Sequence, residues 1–124
     1  MLEKITLSAT TTGTTGSATG SSTSSNLVTG FVHAAYLTIP SSGTATVTLA
    51  AQSAPSENIL SLSAITASAW YYPRKQVCDL NGVALTYNGT AQQSDRFMVH
   101  DYLTLSTTAA TTAKTFQLDI FVEN

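Results

Sequence analysis

Between Thr115 and Glu123 the side chains change character at every step: Phe116, Leu118, Ile120 and Val122 alternate with Thr115, Gln117, Asp119 and Phe121. A period of two sends successive side chains to opposite faces of an extended chain, so this stretch reads as a strand with one buried face. The same rule recurs nearby. Within Ala45–Ala51, residues Ala45, Val47 and Leu49 point one way, while Thr44, Thr46 and Thr48 point the other. Further β-branched and aromatic runs occupy Lys4–Leu7, Phe31–Ile39, Ile59–Thr66, Ala69–Asp79 and Phe97–Ser106. Six to seven strands at this spacing predict an all-β fold, an antiparallel β-sandwich or barrel-like domain.

Turn residues set the expected connections. Pro40-Ser41-Ser42-Gly43 predicts a hairpin between 31–39 and 45–51, and Asn81-Gly82 and Asn88-Gly89 predict tight turns. Ser106–Lys114, made of small residues, reads as a loop before the last strand. Helix is nearly absent from the pattern, with room for one turn after Pro55.

Ala9–Ser25 obeys a different rule, having no charge and no large side chain. Such a segment buries too little area to offset about 1–2 kcal/mol of backbone entropy per ordered residue. The expectation is an extended N-terminal arm ordered by neighbouring chains. The chain then divides into a Thr/Ser/Gly/Ala-rich strand and arm over 1–30 and a β-sandwich domain over 31–124. Small residues can lie flat on a partner and add backbone hydrogen bonds at a sheet edge, which makes Thr11, Thr12, Thr14, Thr15 and Thr19 candidate contact residues.

Composition points the same way. Charged residues form 10% of the chain, against about 25% in ordinary soluble domains, while 22 threonines and 15 serines keep it polar. A nearly neutral surface does little to hold copies apart, which favours a homo-oligomer or lattice, with a trimer the favoured state. The net charge of −2, with only Arg74 and Lys75 adjacent, does not supply the clustered cations that nucleic acid demands, so no nucleic-acid partner is expected. No run of 18 apolar residues is present, and the N-terminus lacks a basic start followed by an apolar stretch. Neither a membrane span nor a secretion signal is expected. The single cysteine, Cys78, reads as a small buried side chain.

Motifs for chemistry are weak. A Ser-His-Asp triad can be written from His33 or His100, an aspartate and any of many serines, but no serine sits in a G-x-S-x-G elbow. His33, Cys78, His100 and Asp101 lack the close-spaced pairs of structural metal sites. The glycines at 13, 16 and 20 are followed by no lysine and do not form a phosphate loop. The expectation is a non-enzymatic chain without metal or cofactor.

Trp70-Tyr71-Tyr72-Pro73-Arg74 is the densest cluster of binding-type residues. On a strand Trp70 and Tyr72 share one face and Tyr71 takes the other, so at least one bulky ring reaches the surface. Exposed aromatics beside arginine suit a protein interface, the same rings can stack on sugars, and Trp70 and Tyr72 can instead be core.

Tyr71-Tyr72-Pro73-Arg74, Asp79-x-x-Gly82, Tyr87-Asn88-Gly89-Thr90 and Asp101-x-Leu103 together resemble small proteins encoded beside the major capsid gene of tailed bacteriophages. The resemblance spans about a third of the chain. It implies a virion structural protein of the head decoration, or cement, type. Such a protein is made in the bacterial host cytoplasm, sits on the capsid surface, and clamps the major capsid protein together with copies of itself. A tail, baseplate or fibre module, binding glycan through Trp70, Tyr71 and Tyr72, is the alternative.

Overall fold

The computed structural model describes residues 2–76, 80, 81, 83 and 94–124, without the side chains of 54–57 and 76. Cys78, Asp79 and the turn at Asn88-Gly89 lie outside the described residues. The strands in chain order are β1 (Leu2–Thr10), β2 (Ala18–Thr23), β3 (Val28–Thr38), β4 (Ala45–Ala51), β5 (Ala54–Ile65) and β6 (Ala69–Tyr71). They are followed by β7 (Lys75–Gln76), β8 (Ser94–Asp95), β9 (Met98–Asp101), β10 (Leu103–Ala110) and β11 (Thr115–Glu123).

Two antiparallel sheets face each other across one core. The first has the order β1-β11-β3-β6, with β9 pairing the other end of the same β3 edge, and the second has the order β2-β10-β4-β5. β7 and β8 form a separate two-stranded piece. Every inward residue anticipated from alternation is buried: Phe116, Leu118 and Ile120 in β11 and Ala45, Val47 and Leu49 in β4 have no exposed surface, and Val122 has almost none. They meet Leu37 of β3 and Leu103 and Leu105 of β10 in a single apolar cluster.

The described residues hold eleven strands rather than six or seven, because several expected runs divide or extend. The run 97–106 breaks at Tyr102, which lets β9 join the first sheet and β10 the second. Pro73, lacking a backbone N–H, separates β6 from β7. Pro40 and Gly43 close a turn through Gly43 N–H to Pro40 C=O at 2.9 Å, yet β3 and β4 lie in different sheets, so this turn is a crossing between sheets and not a hairpin. The segment after Pro55 belongs to β5, and most of 106–114 belongs to β10, with the chain turning back over 111–114.

The segment 9–25 departs furthest from expectation, since it is built into the sandwich instead of standing off as an arm. Ala9 ends β1 on the core side, Gly13–Ser17 turn the chain over, and Ala18 opens β2 with no exposed surface. Thr12 and Thr19 exchange backbone hydrogen bonds of 2.9 and 3.0 Å across the turn. Gly20 permits the contact of the two sheet edges, because a Cβ there would lie 2.8 Å from the Thr10 carbonyl oxygen. Order comes from backbone pairing and close packing of small residues, which needs no large side chains. Nor is there a boundary at residue 30, through which β3 runs unbroken.

Leu118 lies on the central strand of the first sheet with no exposed surface. Leu118→Ala leaves a cavity and is expected to cost about 2–5 kcal/mol in urea denaturation of the whole chain.

Candidate functional site

Burying one face of β11 obliges the other to face outward. Phe121 therefore emerges on the outer face of the first sheet, opposite Ala34 of β3 in the register, two positions from the pair Asp119 and Tyr36. Tyr36 in turn pairs with Trp70 of β6. Three strands thus bring three rings together: Trp70 lies 5.1 Å from Tyr36 and 5.5 Å from Phe121, centroid to centroid, with both pairs tilted. Ala34 is buried on this outer face and outside the central apolar cluster. Trp70 remains 51% exposed and Tyr72 60% exposed, an unusual state for rings of this size.

The sequence cluster therefore divides as its alternation demands. Trp70 and Tyr72 face solvent, whereas Tyr71 is half-buried and packs against the core. Arg74 is exposed, but one guanidinium nitrogen donates to the carbonyl oxygens of Pro73 at 2.7 Å and His33 at 3.2 Å. It fastens the chain after β6 to the outer edge of β3, in the interval between β6 and β9. Tyr36 and Phe121 belong to the site and were not among the residues singled out by sequence.

The threonines of the expected arm stand elsewhere. They lie where β1 passes into β2, at the sheet edge opposite β6. Thr11 is buried, so it is no contact residue. Its hydroxyl donates to the Thr111 carbonyl at 2.6 Å and accepts from the Lys114 N–H at 3.1 Å, tying the two turns together. Thr12, Thr14, Thr15 and Thr19 are exposed, and Thr15 accepts from the Thr112 N–H at 3.3 Å.

The residues written into a triad go to separate partners. His33 is exposed. His100 Nδ1 lies 2.8 Å from the Thr29 hydroxyl. Asp101 accepts directly from the Ser53 hydroxyl, from the Ser53 N–H at 2.8 Å and from the Tyr102 N–H at 2.7 Å, with no histidine interposed. Among the described residues, no three His, Cys, Asp or Glu side chains converge as a metal site. No helix among them is long and apolar enough to cross a membrane.

The chain matches no protein-family model, and neither curated proteins nor solved structures provide a match. The outer aromatic face is the strongest candidate site on physical grounds. It offers apolar area, ring edges and faces, and hydrogen-bonding groups from Asp119 and Gln117, which share one hydrogen bond of 3.3 Å.

Two outcomes follow from these contacts. Thr11→Val deprives the Thr111 carbonyl of its hydroxyl donor and the Lys114 N–H of its hydroxyl acceptor, both part-buried, and is expected to cost about 1–3 kcal/mol in urea denaturation. The Ser53 hydroxyl first, then the Ser53 N–H and Tyr102 N–H, hold the Asp101 carboxyl below its ordinary value of 3.8. A depressed native value stabilises the fold above the unfolded value, and that contribution disappears as pH falls through the native one. Thermal melts should show Asp101→Asn less stable than wild type at neutral pH, with the gap closing below pH 3.8.

Proposed function

We propose that the protein is a non-catalytic virion structural protein of a tailed phage, holding to the outside of the capsid and bridging neighbouring subunits as a decoration or cement protein. The observation that carries this reading is the aromatic set on the outer face of an otherwise charge-poor sandwich: Trp70 and Tyr72 are exposed, and the half-buried Tyr36 and Phe121 flank Trp70. Large rings that remain exposed on a rigid sheet have the character of interface hot spots: they bury much area on contact and lose little side-chain entropy. The resemblance of 71–74, 79–82, 87–90 and 101–103 to proteins encoded beside capsid genes supplies the class of partner. A tail or fibre module that binds glycan is the second reading. It is favoured by the half-exposed Trp70 ring on the same sheet face as the polar groups of Asp119 and Gln117, since sugars use an aromatic face together with hydrogen bonds.

Attachment through aromatic burial responds to salt differently from attachment through ion pairs, because screening weakens only the latter. Co-sedimentation with capsids of the parent phage should show occupancy that barely falls from low to high salt. Trp70→Ala should weaken it by about 2 kcal/mol or more, as hot-spot aromatics do, while Thr12→Ala should not. Binding to host glycan that is lost in Trp70→Ala, with no binding to capsids, would establish the second reading instead.

A further inference from the structure

Near the turn 13–17 the two sheets are bonded edge to edge through Thr12 and Thr19, and among the described residues no pairing continues below it between β1 and β2. Between them lies a cleft of about 350 Å³ lined by residues 3–7 and 22–28. The hydrogen-bond pattern shows which backbone groups face it. Thr11 N–H bonds to Lys114 on the β11 side, whereas Thr12 bonds to Thr19 on the β2 side. Bonding direction alternates along a strand paired on one edge, so odd-numbered residues of β1 turn toward β11. Lys4 and Thr6 then direct N–H and C=O into the cleft, and no backbone bond between them and β2 is present among the described residues. Ile5, between them, packs on the core but is only half-covered.

This edge is complementary to itself. We propose that a second copy of the chain occupies it, β1 pairing antiparallel with β1 about a two-fold axis through Ile5. That register sets Lys4 opposite Thr6 of the second copy and makes four backbone hydrogen bonds by symmetry, all from groups already facing the cleft. It lays the half-covered Ile5 against Ile5 of the second copy. It also complements charge, because Thr6 pairs with Asp119 and donates to its carboxylate at 2.8 Å. Lys4 on the outer face therefore meets the Thr6–Asp119 pair of the second copy, and the reverse contact forms by symmetry. The neighbouring registers are poorer: one places Lys4 on Lys4, and the other places Lys4 on Ser8 and moves it from Asp119. A two-fold contact uses the same patch on both subunits and closes as a dimer. It engages Asp119 of the outer face but none of its aromatic rings, so this inference stands apart from the proposed function.

Sedimentation of the whole chain over a range of concentrations tests it, with circular dichroism confirming that each variant is folded. Wild type should form dimers. Proline is tolerated on an edge strand where its missing N–H faces outward, so Lys4→Pro should keep the fold yet weaken dimerisation about tenfold or more. Lys4→Asp and Asp119→Lys should each weaken it as well, and the double exchange should restore it. A monomer at all concentrations would show that Glu3 and Lys4 guard the edge instead, and would overturn the proposal. So would a trimer, or a dimer indifferent to Lys4→Pro and to the charge exchange.

Discussion

The burial of β11 between β1 and β3 is the constraint on which the rest depends. Its four inward side chains fill the centre of the core, and the two-residue period leaves no freedom for the intervening ones. Asp119 and Phe121 must face out, and their cross-strand neighbours are fixed with them. The aromatic face is thus the reverse side of the apolar core. A slip of one residue would bring Phe121 inside and expose Ile120, erasing core and patch together.

Much of this was legible in the sequence, and the limits of legibility have physical causes. Strands with strong apolar alternation, such as β4 and β11, announce themselves. β2 does not, because its residues are small and its order comes from pairing with β10 and from the close approach of Gly20 to β1. Nothing in 9–25 signals that Thr11 will be buried and find carbonyl partners a hundred residues away. Small residues read as flexibility when isolated and as tight packing when surrounded.

The site was half legible for the same reason. The opposite faces of Trp70 and Tyr71 follow from adjacency on a strand, and Tyr72 stays exposed although β6 ends before it. That Tyr36 and Phe121 flank Trp70 depends on sheet order, which brings β3, β6 and β11 together and which local pattern does not encode. Phe121 is the position where alternation carried an overlooked message. A large ring on the polar face of an otherwise regular strand is already a departure needing a partner.

The position of β11 also bears on how the domain is made. Among the described strands, the one that follows all the others in the chain inserts between two early ones, and Leu2 pairs with Glu123. Pairing across so great a sequence separation is slow to form, so the first sheet cannot close before β11 is present. Until β11 arrives, β1 and β3 each hold an unpaired edge and an uncovered apolar face. Folding of the first sheet accordingly turns on contacts between opposite ends of the described chain, and β11 contributes to it only together with both of its neighbours.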